Sequence, residues 1–175
     1  YLLQSGDKIN DHHVQLLASG SMVNEVLEAA KILNEDWQID ADIWSVTSFS
    51  ELHREAEDKS RWNTLHPDED DKQSYVGSCL KAENGPVIAV SDYVKLVAEQ
   101  ILPYIKCPFV ALGTDGFGRS DTRENLRHFF EVNRYFIILY ALDKLYVEDK
   151  INKKQVSKCI KKYNIDVNKP NPNKV

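Results

Sequence analysis

Short apolar runs alternate along the chain with segments in which apolar residues recur every three or four positions. The runs are residues 13–18, 41–46, 86–90 and 108–112. Each has the length of one buried strand. After the first run, residues 19–21 form a turn, and the apolar residues from Met22 to Leu33 are spaced for one face of a helix. The pattern predicts strands joined by helices.

Similar spacing and local signals predict the other helices. They are expected at residues 51–57, 92–101, 121–128, 135–146 and 156–163. Thr47, Ser48 or Ser50 can cap the first of these, Pro103 ends the second, and Asp121 with Glu124 is a variant of the capping box for the third. Residues 66–71 are expected to be a loop, Asn84–Gly85 a turn, and residues 75–80 fit either a strand or a helix.

Strands that alternate with helices indicate a mostly parallel sheet, because parallel neighbours need a crossover connection and bury both faces. The predicted fold class is therefore α/β, with helices on both faces of the sheet. The length of 175 residues fits one domain. We predict a lead-in segment at residues 1–13, one domain at residues 14–165 and an irregular tail at residues 166–175.

Composition and charge narrow the possible partners and location. A net charge of −5 argues against nucleic acid and anionic membranes, which need a basic face, and no apolar run approaches the roughly 20 residues that span a bilayer. We expect a soluble, cytoplasmic protein with three reduced, mostly buried cysteines. The chain begins at Tyr1 without an initiator Met, and we interpret it as a fragment of a longer protein.

Two loops that follow strands are the first candidates for a site, because ligands of open parallel sheets bind beyond the carboxyl ends of the strands. Residues 19–21 and 113–120 both lack a phosphate-binding glycine pattern. The first is expected to be a strand-to-helix turn with a serine cap. The second is expected to be a structural or interface loop.

Arginines cluster around the second loop. Arg119 could meet an anion, whereas Arg123 and Arg127 form an i,i+4 row that is expected to pair with Glu124, Glu131 or a neighbouring subunit.

Other candidate groups give no catalytic signal. The pair His12–His13 lacks an evident third metal ligand, and the acidic residues 68–71 lack the pattern of a calcium loop. Nucleophile-elbow and zinc-protease motifs are absent from the sequence.

Three stretches nevertheless resemble one family closely. They read VTSFSEL at residues 46–52, RWNTLHP at residues 61–67 and LGTDGFGRSDTRENLRH at residues 112–128. They resemble the carboxyl-terminal domain of the homodimeric bacterial pyruvate dehydrogenases, which are transketolase-like. Weaker matches at residues 14–21, 91–96 and 163–166 extend the resemblance over nearly the whole chain.

This resemblance implies a mixed, mostly parallel sheet of about five strands. It also implies a full-length homodimer that decarboxylates pyruvate on thiamine diphosphate with Mg²⁺ and reductively acetylates the lipoyl group of a dihydrolipoyl acetyltransferase. The family's cofactor motif, Gly-Asp-Gly followed by paired Asn, has no match, and Asp115–Gly116 is only a partial look-alike. We therefore expect no catalytic, cofactor-binding or metal-binding residue in this fragment, and expect it to be inactive alone.

The domain's own expected role is assembly. The candidate interface loop consists of Asp115, Gly116, Phe117, Gly118, Arg119, Ser120 and His128. Phe117 and Arg119 are expected to contact another domain or subunit, and Gly116 or Gly118, or both, to have positive φ. The alternative is an independent α/β protein-interaction module without catalysis.

Overall fold

One five-stranded sheet forms the centre of the structure, a computed structural model that describes residues 1–7, 9–81 and 85–175. The strands are β1 (Leu2–Gln4), β2 (His12–Ala18), β3 (Ile39–Ser45), β4 (Val87–Val90) and β5 (Phe109–Leu112). Their order is β1-β3-β2-β4-β5. β1 pairs antiparallel with β3, and the other three pairs are parallel. The predicted mixed, mostly parallel sheet is confirmed.

Seven α-helices are present in the described residues. They are α1 (Val23–Trp37), α2 (Phe49–Leu65), α3 (Tyr75–Cys79), α4 (Lys95–Glu99), α5 (Arg123–Phe129), α6 (Arg134–Val147) and α7 (Lys153–Lys162). Short 3₁₀ turns lie at Gly20–Met22, Leu102–Tyr104 and Pro172–Lys174. The ambiguous segment 75–80 is thus a short helix.

Helices cover both faces of the sheet, as expected. Alternation along β4 divides the core: Ile88 and Val90 pack in the cluster that includes residues of α1, α6 and α7, whereas Val87 and Ala89 pack in the cluster of α2, α3 and α4. All four side chains are buried, because helices cover both faces of this parallel strand. This explains why its sequence is continuously apolar.

Two helix starts test the capping predictions. Ser48 caps α2, since its hydroxyl accepts a hydrogen bond from the Glu51 amide at 3.2 Å. The prediction of Asp121 as the cap of α5 is wrong. Thr122 has the extended backbone of a cap and its hydroxyl accepts from the Asn125 amide, while the Asp121 carboxylate accepts from the Thr122 amide and the Asn125 side chain.

The helix predicted at residues 92–101 is also shorter than expected. It begins at Lys95, because the Tyr93 amide donates to the Ser91 hydroxyl and the Tyr93 carbonyl accepts from the Thr114 amide. The backbone at this point is bonded to a neighbouring loop instead of a helical turn. Pro103 lies in the 3₁₀ turn that follows.

The ends of the chain are more ordered than a lead-in and an irregular tail. Residues 1–13 contain β1 and the start of β2, and residues 166–175 contain a 3₁₀ turn with buried Pro172. The expected turn at Asn84–Gly85 falls partly outside the described residues. All three cysteines are free, two of them buried. None of the helices in the described ranges is long and apolar enough to cross a membrane.

Candidate functional site

Three loops meet at the carboxyl ends of the parallel strands. They follow β2, β4 and β5, and they flank the point between β2 and β4 where the strand order changes direction. Ligands and partners of open α/β sheets commonly bind at this edge. The edge contains residues 113–121, which we call the interface loop; they include the predicted interface residues from Asp115 to Ser120, whereas the predicted His128 lies in α5.

Hydrogen bonds fix this loop to the one after β4. The Thr114 amide donates to the Tyr93 carbonyl at 2.9 Å, and the Thr114 hydroxyl donates to the Asp92 carbonyl at 3.0 Å. The Asp115 carboxylate accepts from the Lys95 amide at 3.3 Å. The first part of the interface loop is therefore held from one side.

The loop after β2 differs from the expected serine-capped turn. Its hydroxyls make no capping bond: the Ser19 hydroxyl donates to that of Ser91, and the Ser21 hydroxyl donates to Asp92. These bonds join the β2 and β4 loops across the change in strand order. The serines connect loops because the two strands end side by side.

A cleft of about 490 Å³ is lined by residues of the interface loop, of the loops after β2 and β4, and of α5. Its walls include Ser21, Asp92, Phe117, Arg119, Arg123 and Leu126. The interface loop thus has one face towards this cleft and another towards the exterior.

Glu25, in the first turn of α1, is the buried charge beneath this edge. It is 4% exposed and accepts from Arg127 at 2.8 Å and from the Arg134 backbone amide and guanidinium at 2.9–3.1 Å. Burial by itself raises the pKa of Glu25, but the hydrogen bonds and positive charge of Arg134, with the charge of Arg127, hold it below the ordinary value. This ion cluster ties α1 to the α5–α6 junction.

The arginine prediction is therefore wrong for Arg127, which pairs with Glu25 instead of Glu124 or Glu131. Among the described residues, the ion pairs within 4.0 Å at this edge include Arg127 and Arg134 but neither Arg119 nor Arg123.

The sequence did not lead us to predict a role for Glu25. It occurs three residues after Met22 and four before Ala29, on the apolar stripe of α1. A charged residue at such a position needs a buried partner, and that was the available signal.

Phe117 and Arg119 have different environments within the loop. The Phe117 side chain is 79% exposed, as expected for a residue that meets a partner, although the contact itself stays a prediction. The Arg119 guanidinium lies 4.2 Å from the centre of the Phe129 ring of α5. Arg119 is thus held against α5, whereas Phe117 lines the cleft and is largely exposed.

The two loop glycines also differ. Gly116 has φ of +105°, which confirms the predicted positive φ at one of them, and Gly118 is not among the positive-φ residues. A Cβ at Gly116 would lie 2.5 Å from the Pro172 carbonyl oxygen, whereas a Cβ at Gly118 would meet no atom within 4 Å. Only Gly116 is required by both conformation and space.

The remaining candidates are not all brought together. Ser120 is exposed, and Asp115 is occupied by its bond to Lys95. His128, in the last turn of α5, contacts Asn133 and the Phe136 ring of α6. The loop and His128 therefore form adjoining surfaces but no shared polar centre.

The histidine pair has a structural environment. His13 Nε2 lies 3.2 Å from an oxygen of buried Asp42, and the other Asp42 oxygen accepts from the Gly6 amide at 3.0 Å. The acidic residues 68–71 lie in an exposed turn. Within residues 1–7, 9–81 and 85–175, no three His, Cys, Asp or Glu side chains converge as metal ligands would.

Comparison with known families identifies the class of this fold. The family described as the transketolase-like TK C-terminal domain matches residues 1–133. The chain belongs to this family. The match includes all five strands and the entire interface loop.

Similar full-length proteins are named pyruvate dehydrogenase E1 component. The chain is 53% identical to the one from Cupriavidus necator over 163 residues, 93% of this chain and 18% of the relative. It is 52% identical to that of Pseudomonas aeruginosa over 98% of this chain and 20% of the relative. The Escherichia coli K12 protein is 48% identical over 91% of this chain and 18% of the relative. The chain thus spans about one fifth of these relatives' length.

Solved structures agree on the fold. A split-gene transketolase, described as an inactive beta4 tetramer, has a TM-score of 0.56 at 19% identity over 83% of this chain and 42% of that chain. Transketolase from Leishmania mexicana has a TM-score of 0.50 at 22% identity over 77% of this chain and 16% of that chain. At these identities the likeness supports the fold alone.

Proposed function

We propose that this chain is the carboxyl-terminal domain of a pyruvate dehydrogenase E1 component. The observation that carries the proposal is identity of about one half to such proteins across more than nine tenths of the chain. The full-length enzyme would oxidatively decarboxylate pyruvate and reductively acetylate the lipoyl group of a dihydrolipoyl acetyltransferase. Thiamine diphosphate with Mg²⁺ supplies the decarboxylation chemistry in that enzyme.

The described residues do not fit the cofactor. Asp115, in the partial look-alike of the cofactor motif, accepts a hydrogen bond from the Lys95 amide, so its carboxylate fastens two loops together. No three metal-ligating side chains converge in the described ranges. We infer that other parts of the full-length enzyme hold thiamine diphosphate and Mg²⁺, and we assign no catalytic step to this chain.

The domain's own role in this proposal is assembly through the interface loop. Phe117 is 79% exposed, and Tyr93 on the loop after β4 and Leu96 in α4 are 63% and 67% exposed. Hydrogen bonds from Thr114 to Tyr93 and Asp92 fix the loop that carries Phe117 to the loop that carries Tyr93. Aromatic residues and arginine are enriched where protein surfaces are buried on association. The surface suits a contact with another domain or with the second subunit of a homodimer.

The test of the enzymatic part uses the full-length protein that carries this chain. Combined with a dihydrolipoyl acetyltransferase, it is expected to consume pyruvate and acetylate the lipoyl group when thiamine diphosphate and Mg²⁺ are supplied. Absence of pyruvate-dependent activity would contradict the proposal and favour the independent interaction module.

The test of the assembly part compares two truncated apolar side chains in that full-length protein. Phe117→Ala is expected to raise the dimer dissociation constant by at least about tenfold, because truncation of a hot-spot side chain at the centre of an interface costs about 2 kcal/mol or more. Leu65→Ala, which shortens an exposed apolar residue at the end of α2, is the control and should leave assembly unchanged. Unchanged assembly in Phe117→Ala, or loss of the chemical step with intact assembly, would contradict the role.

A further inference from the structure

The last segment of the chain, residues 166–175, lies against α5 and the interface loop; we call it the tail. Its anchor is Lys169, whose side chain is only 11% exposed. The Lys169 ammonium donates to the Phe129 backbone carbonyl and to Glu131 at 3.0 Å. A lysine this buried is stable because its charge is paired and hydrogen-bonded.

The Phe129 ring joins the tail to the interface loop. The Arg119 guanidinium lies 4.2 Å from the ring centre, and the Lys169 ammonium lies 5.2 Å from it. Both distances are within the range in which an aromatic ring attracts a cation. The second half of the loop and the tail are therefore positioned by the same side chain of α5.

A second contact joins the tail to the first half of the loop. The backbone carbonyl of Pro172 passes so close to Gly116 that a Cβ there would lie 2.5 Å from its oxygen. Pro172 is buried, and the Asn171 side chain accepts from the Asn173 amide at 2.9 Å, which fixes the turn around it. The tail thus contacts the loop directly at Gly116, before Phe117, and through the Phe129 ring at Arg119, after it.

We propose that the tail holds the interface loop in the conformation that presents Phe117, so that loop and tail act as one contact surface. The role of this surface in assembly rests on the proposed function, but the holding of the loop does not. A loop that is ordered before it meets its partner loses less conformational entropy on binding. The tail is therefore expected to strengthen the contact by ordering the loop beforehand.

The experiment measures tryptic cleavage after Arg119 in the full-length protein, because cleavage requires the loop to leave its folded position. Lys169→Met keeps most of the buried stem and removes the donor. Cleavage is expected to become about tenfold faster, the change that corresponds to losing a hydrogen bond to a charged group. Lys174→Met removes an exposed lysine of the same tail and is the matched control, with the wild-type rate expected.

A second variant and a second readout keep the result interpretable. Pro172→Gly leaves the Lys169 anchor intact but loosens the turn that holds the carbonyl of residue 172 against Gly116, and it is expected to give a smaller increase in cleavage. The dimer dissociation constant should rise in Lys169→Met, in the same direction as in Phe117→Ala.

The outcomes separate this inference from the assembly role. Equal cleavage rates in wild type, Lys169→Met and Pro172→Gly would overturn the inference even where Phe117→Ala weakens the dimer. Faster cleavage in both tail variants with no effect of Phe117→Ala on assembly would uphold the holding of the loop and contradict the assembly role.

Discussion

Buried carboxylates are stabilised differently at the two ends of the parallel strands: by neutral amide donors at the amino ends and by arginines at the carboxyl ends. At the amino ends, Asp40 accepts four hydrogen bonds of 2.8–2.9 Å from Ile9, Asn10 and Asn34, all within 31 residues of it in sequence. At the carboxyl ends, Glu25 depends on two arginines that lie 102 and 109 residues away. The donors to Asp40 thus come from segments at most 31 residues away in sequence. The donors to Glu25 reach it only when α1 packs against the α5–α6 junction.

The difference concerns function as well as stability. At the carboxyl ends, long-range contacts of Glu25 hold α1 against α5 and α6 beside the interface loop. The Phe117 side chain of that loop remains exposed. Arg119 and Arg123 have no ion pair within 4.0 Å among the described residues. Hydrogen-bonded loops with exposed aromatic and basic groups are suited to recognition, because their backbone is fixed before the partner arrives.

The largest effect is expected from removing the long-range partner. Glu25→Ala leaves two guanidinium groups without their buried carboxylate and should lower the free energy of unfolding by about 3 kcal/mol, at the lower end for a broken buried pair because Arg134 is partly exposed. Chemical denaturation measures it. Glu28→Ala removes a half-exposed carboxylate 3.4 Å from Arg134 and is the control, with a loss below about 1 kcal/mol. Equal losses in both variants would contradict the assignment of Glu25 as the anchor.

A smaller effect is expected at the amino ends. Asp40→Asn replaces one acceptor oxygen by an NH₂ group that faces backbone and side-chain donors, so it should cost about 2 kcal/mol. The control is Asp68→Asn in the exposed turn, which should be neutral. If Asp40→Asn costs as much as Glu25→Ala, the contrast between the two ends is not one of strength.

The sequence predicted most of the fold because the central strands are continuous apolar runs between amphipathic helices. It did not predict β1, whose three residues are exposed and whose pairing partner β3 begins 35 residues after it ends. Short edge strands have little pattern of their own and depend on the strand they join. The sequence at residues 75–80 fitted either a strand or a helix, because α3 is only five residues long and shows little periodicity.

The sequence predicted where the interface loop lies, but not the tertiary contacts that support it; its role as an interface stays a prediction. The position of the interface loop follows from the rule that loops at the carboxyl ends of strands bind partners. The prediction paired Arg127 with residues one turn away, because local spacing is all that a single sequence displays. Its partner Glu25 lies on another helix, α1. The contact of Gly116 with Pro172 joins the interface loop to the tail at the end of the chain. Both are tertiary contacts that no local pattern encodes.

The two loop glycines test how closely the tail constrains this surface. Gly116→Ala should destabilise the fold by at least about 1 kcal/mol, because alanine disfavours φ of +105° and its Cβ would displace the Pro172 carbonyl. Gly118→Ala, two residues away with open space around it, should change stability by less than about 0.5 kcal/mol. Thermal unfolding of both variants measures the difference, and a reversed order would contradict the contact.

The smallest expected effect is the change in the free energy of unfolding with pH. Lowering the pH protonates Glu25 and Asp40 without removing either side chain. Burial by itself raises the pKa of Asp40, but hydrogen bonds from Asn10, Ile9 and Asn34 hold it below the ordinary value, as the arginines do for Glu25. The unfolded chain then binds protons more readily, so the stabilisation is present above the unfolded pKa of about 4 and is lost as the pH falls through the lower folded values. The loss should be smaller than in either substitution, because a protonated carboxyl group keeps its place and one acceptor oxygen.

Denaturation at pH 6 and pH 3 measures this loss of stability, with a weaker pH dependence expected in Asp40→Asn than in wild type. An identical slope in the two proteins would show that Asp40 carries no proton-linked stability.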